Sequence, residues 1–175
     1  MSSEREAVLK AIKDRLVPFL EQQGFAQRAM PQVEEASVEM QTAFPFGYLE
    51  RKKRAAVELL EIQMDKRGAA RFVFNFGAVP EEGVTLPWGH FDQANVSVSA
   101  LADAFRLHSQ SSWPKWFSIG WFPRDARARA EKVVARAISL YPEIEAWFTA
   151  RAIGPHLRPF GFPRKTTQEA HSTAV

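Results

Sequence analysis

The chain has 175 residues, 46% hydrophobic and 25% charged, with 23 Lys and Arg against 20 Asp and Glu and a net charge of +3. That is the make-up of one soluble globular domain, long enough to bury roughly 70% of its unfolded surface without a metal or disulfide staple. Cysteine is absent, which excludes disulfide frameworks, Cys-ligated metal centres and thiol nucleophiles. The polar start has no signal-peptide core and no apolar run reaches bilayer length, so no membrane partner is expected and the expected location is cytoplasmic.

Val8, Ile12, Leu16, Phe19 and Leu20 recur at three- and four-residue spacing. This predicts an amphipathic helix over 4–23, capped by Ser2 or Ser3 and stopped by Gly24. Pro18 removes a backbone donor and predicts a kink or a weakened last turn. Residues 26–53 carry mixed signals. Ala36, Val38, Met40 and Thr42 alternate as in a strand, while Glu34, Glu35 and Ala36 suit a short helix.

The clearest pattern spans 55–78. Leu60, Ile62 and Met64 alternate with Glu61, Gln63 and Asp65; Phe72, Phe74 and Phe76 alternate with Arg71, Val73 and Asn75. Lys66-Arg67-Gly68 between them predicts a three-residue hairpin loop with Gly in the left-handed position. In that register Asp65 faces Ala69, Gln63 faces Arg71, Ile62 faces Phe72 and Leu60 faces Phe74. The large apolar side chains then share one face, to which Glu58 also projects. Residues 79–95 read as loop, followed by strands near 103–109 and 117–122. Pro123 opens a helix to about Leu140 and Pro142 opens a second, short one. Beyond Gly154 the prolines predict an irregular wrap over the core. The order of elements gives an α+β fold: an antiparallel sheet of about four to five strands with an N-terminal helix and C-terminal helices packed on one face. One domain is expected over 1–163, with a flexible C-terminal tail over 164–175.

Gly24-Phe25 after the opening helix, Gln63 on a strand, Phe74-Asn75-Phe76-Gly77 on the next, and the stretch Trp116 to Trp121 before a closing helix form a recognisable series. In this the chain resembles the family catalogued as domain of unknown function 4304, loosely from about residue 7 to residue 150. The resemblance implies an α+β fold and supplies no activity.

The sequence does not declare an activity. His90, His108, His156 and His171 lack the spacing of a helical metal pair, and neither a metal nor a cofactor is expected. There is no Gly-x-Ser-x-Gly elbow and no phosphate-cradling glycine loop. Glu61 and Asp65, four apart on one strand, lie roughly 13 Å apart, too wide to share a proton. Three readings remain. The leading one is a non-catalytic protein-binding module, with Trp113, Trp116, Arg124 and Arg127 as the partner surface, because aromatics and Arg dominate interface hot spots. The second is nucleic-acid binding through the 51–54 run, the basic helix 124–136 and the same tryptophans, with steep salt dependence. The third is a small-molecule binder or enzyme using the polar sheet face. There Glu61, Gln63, Arg71 and Asn75 project together, and Arg106 joins if its strand pairs alongside; Arg offers an anion a planar fork of donors. Of the tryptophan-rich stretch, Phe117, Ile119 and Trp121 share one face.

Overall fold

The protein is described by a computed structural model over residues 2–28, 37–54, 56–87, 89–120 and 125–161. The chain opens with α1 (Ser3–Ala11), a π-helical turn (Ile12–Leu16) and α2 (Val17–Gln22), stacked as one rod. Ser2 caps it by accepting from the Arg5 amide at 3.3 Å. The buried stripe Val8, Ile12, Leu16 and Leu20 steps by four each time. In a straight α-helix that spacing drifts about 40° per step. The wider π turn, closed by Val17 N–H on the Ile12 carbonyl, takes the drift back. It also sets Pro18 in the first turn of α2, where a missing donor costs little. The rod therefore runs past Pro18 with a π turn in place of a weakened end.

Next come β1 (Ala26–Arg28), α3 (Val38–Ala43), β2 (Tyr48–Lys52), β3 (Ala56–Met64), β4 (Arg71–Pro80), β5 (Val84–Leu86), β6 (Gly89–Phe91), β7 (Ala104–Leu107), β8 (Phe117–Ser118), α4 (Ala126–Ala150) and β9 (Leu157–Phe160). The main sheet runs β1-β2-β3-β4-β7-β9, with β8 also on β4, and every pairing is antiparallel. The fold is thus α+β, and the sheet is larger than the four to five strands expected. Part of the 26–53 stretch supplies β1 and β2, and the expected wrap after Gly154 supplies β9. β5 and β6 pair as a separate two-stranded sheet inside the expected loop.

The predicted pairing of the central hairpin is corrected by two residues. Ile62 faces Phe74, Leu60 faces Phe76 and Gln63 faces Val73. The turn is longer because Asp65, not Gly68, decides it. Its Oδ1 accepts from the amides of Arg67 (2.8 Å) and Ala69 (3.3 Å), and its own amide donates to the Arg71 carbonyl (3.1 Å). A slip of two preserves side-chain parity, so the apolar face is the one expected. Leu60, Ile62, Met64, Phe72, Phe74 and Phe76 are buried with Ile12, Leu16, Val134, Ala137, Tyr141, Ile144 and Trp147 of the helices.

Two helices were expected at 123–148, and one forms. Ala130, Val134, Ala137, Tyr141, Ile144 and Phe148 make an unbroken buried stripe on α4, and Pro142 points to solvent. Burial of one continuous stripe outweighs the lost hydrogen bond at the proline. The opposite sheet face carries a smaller core in which Val57, Leu59 and Val79 meet Val96, Val98 and Leu101. Gly77 sits beneath it: a Cβ there would lie 2.6 Å from Leu101 Cδ1.

Buried arginines stitch these layers. Arg5 donates through Nη1 to the carbonyls of Asp65 (2.7 Å) and Ala69 (3.2 Å) and through Nη2 to that of Thr42 (2.8 Å). Arg51 pairs with Glu58 (2.5 Å) and Glu145 (2.8 Å) and donates to the Gln23 carbonyl. The first residue of the 51–54 run is therefore an internal cation rather than part of a basic surface. No described helix is long and apolar enough to cross a membrane. The tail expected over 164–175 lies outside the described residues.

Burial raises the Asp65 carboxyl, but the Arg71 guanidinium and the amides of Arg67 and Ala69 outweigh it and leave the group below its ordinary value of 3.8. The stabilisation this gives is present above the unfolded value and is lost as pH falls through the lower folded value. Asp65→Asn is expected to cost about 1–3 kcal/mol at pH 7. It should also remove part of the loss of stability that the native chain shows below about pH 4. Urea unfolding of both chains from pH 7 down to pH 2 measures this.

Candidate functional site

Strand register places six residues in one row across the sheet: Arg28, Tyr48, Glu61, Asn75, Arg106 and Arg158. Parity sends the row to the face opposite the helices. At its centre the polar side chains bond to one another. Arg106 Nε donates to Asn75 Oδ1 at 2.7 Å and Arg106 Nη2 to Gln63 Oε1 at 2.8 Å. Asn75 Nδ2 donates to Gln63 Oε1 at 2.9 Å and to Glu61 Oε2 at 3.4 Å. Glu61 Oε1 accepts from the Val98 amide at 2.9 Å, which anchors the network to the smaller core. Asn75 is fully buried and Glu61 is 3% exposed, so each of these bonds offsets a desolvation cost.

Four of the five expected ligand-face residues therefore meet: Glu61, Gln63, Asn75 and Arg106. Arg106 joins because β7 pairs with β4. Arg71 does not join the network. The two-residue shift moves it opposite Asp65, whose Oδ2 accepts from its Nε (2.8 Å) and Nη2 (2.5 Å). Its guanidinium instead lies 5.2 Å from the Trp116 ring centroid.

Arg106 is the unusual member. Its guanidinium lies 4.1 Å from the Phe160 ring centroid and 5.8 Å from that of Trp116. Its bonds run to neutral amide oxygens, and it forms no ion pair within 4 Å among the described residues. Burial lowers its pKa, against which the charge of Glu61, one amide away, acts to raise it. Nη1 has no hydrogen-bond partner among the described residues and is not among their sealed polar atoms.

His108, two residues on, faces the same side and is 7% exposed, and its Nδ1 is buried without a partner among the described residues. Burial, then the charges of Arg106 and Arg158, hold the imidazole below its ordinary 6.5 despite a bond to the Lys115 backbone. The sequence weighed His108 as a metal ligand alone and passed over Arg158 and Phe160. The signal available was the alternation of Ala104, Arg106 and His108 along β7 and the residue after it.

Of the expected partner surface, Trp113 is 68% exposed, while Trp116 is partly buried beside two guanidinium groups. Arg127 pairs with Glu131 at 3.1 Å on the outer face of α4. Arg124 and Trp121 lie outside the described residues. Phe117 and Ile119 share the core, as their spacing predicts. Among the described residues no three His, Asp or Glu side chains gather as metal ligands.

No family model, curated protein or solved structure matches this chain. The side chains themselves therefore carry the functional reading.

Asn75 bridges Arg106, Gln63 and Glu61, so Asn75→Ala should leave all three short of a partner. We expect a loss of about 1–3 kcal/mol. A cycle with Arg106→Met should show a coupling of about 0.5–3 kcal/mol, read from urea midpoints at pH 7.

Proposed function

We propose that this domain is a non-catalytic binding module whose open sheet face holds a small ligand bearing a carboxylate or phosphate group, with Arg106 as its anchor. One observation carries the reading: a partly buried guanidinium, tied to neutral amides, keeps a hydrogen-bonding nitrogen uncommitted among the described residues. A cation so held is pre-organised for an oxyanion, because its other donors and its ring partners already fix its plane.

A protein partner is the second reading, favoured by the 68% exposure of Trp113. Partner surfaces are built around such rings.

Trp116 lies beside Arg106 and makes the site visible by fluorescence. Titration with citrate and with inorganic phosphate should give a saturable change in tryptophan emission that Trp116→Phe removes while calorimetry still detects binding. Arg106→Lys keeps the charge and loses the fork, and should weaken binding at least tenfold. A folded native chain that saturates with neither probe would end this reading.

A further inference from the structure

Trp116 also lines a cleft of about 400 Å³ between the 109–118 loop and α4. The volume falls in the range of small-molecule sites. Three cations line it, Lys115 from the loop and Lys132 and Arg136 from α4, and among the described residues no carboxylate does. Lys132 and Arg136 are four apart on one helix face, a like-charge pairing that works against the helix and that a bound anion relieves. The acids nearby are committed elsewhere. Glu131 pairs with Arg127 at 3.1 Å, and Glu143 holds the imidazole and the amide of His156. Neither Lys115 nor Lys132 has an ion pair within 4 Å among the described residues.

The loop side of the cleft is held in place. Ser109 donates through its amide to the Lys115 carbonyl at 2.8 Å and through Oγ to the carbonyls of Lys115 and Trp116, both at 3.1 Å. Lys115 and Trp116 are thus presented from a fixed backbone. Trp116, partly exposed, and Val133 give the cleft an apolar side, with Phe117 buried in the core beneath. An apolar side flanked by three cations is complementary to a flat, weakly polar ring joined to phosphate.

We propose that this cleft binds a nucleotide, with Lys115, Lys132 and Arg136 on its phosphates and the Trp116–Val133 wall against its base. The cleft draws its cations from α4 and the loop rather than from the Arg106 face, and Trp116 adjoins both. The nucleotide chemistry has two sources, a free nucleotide or a residue of a single strand, and two probes separate them.

The experiment is calorimetric titration with ATP and fluorescence anisotropy with a fluorescein-labelled twelve-residue oligo(dT). Binding should weaken at least tenfold in the Lys132→Glu/Arg136→Glu double variant, whose side chains lie outside the core. Neutralising three phosphates of a single strand gives a log–log salt slope near −2, or roughly twenty-fold weaker oligonucleotide binding from 50 to 200 mM salt. ATP binding with no gain from the oligonucleotide assigns a free nucleotide; oligonucleotide binding without ATP binding assigns a strand. Pyrophosphate binding as tightly as ATP removes the base from recognition and overturns the assignment. So does the absence of binding by either probe, or binding that the double variant leaves intact.

Discussion

The pairing of β3 with β4 is the constraint on which the rest of the molecule depends. Nine rungs join the two strands, and each decides which face a side chain takes. One parity sends Leu60, Ile62, Met64 and the three phenylalanines under the helices. The other sends Glu61, Gln63 and Asn75 to the opposite side, where Val96, Val98 and Leu101 cover Val57, Leu59 and Val79. The Arg106 network follows from the same parity once β7 takes its place on β4.

Arginine does most of the long-range fastening. Arg5 collects carbonyls from two turns, Arg28 donates to the Gln93 and Val96 carbonyls, and Arg158 donates to the carbonyls of Pro155, Leu157 and Ser111. A guanidinium suits this work because its planar fork reaches several acceptors without bending. Arg5, Arg28, Arg51 and Arg158 are therefore spent on fastening the fold, whereas Lys115, Lys132 and Arg136 around the cleft on α4 face solvent.

The sequence made the fold legible where apolar alternation ran long. The opening helix, the central hairpin and the closing helix all follow from periodicity. Short strands did not show. β1 has three residues, and β9 reads Leu-Arg-Pro-Phe, with a proline that only an edge strand accepts. The hairpin register escaped by two residues because Asp65 caps the turn with its side chain, and backbone preference at Gly68 does not reveal such bonds. The ligand face was legible as a set of same-parity residues. Its loss of Arg71 and gain of His108 and Phe160 were not, since both depend on that register and on β9. The basic cleft was half legible: Lys132 and Arg136 belonged to a recognised basic helix, but only the return of the 109–118 loop brings Lys115 and Trp116 to it.

The rod of α1 and α2 buries its stripe against the sheet and α4, an element that lies far along the chain. During synthesis the Ile12–Leu20 stripe therefore waits, wetted, until α4 has left the ribosome. Contacts that close so long a loop form late and slowly, and an uncovered apolar helix is the kind of surface on which partly made chains associate. The interval between these two helices thus sets how long a nascent copy needs shielding.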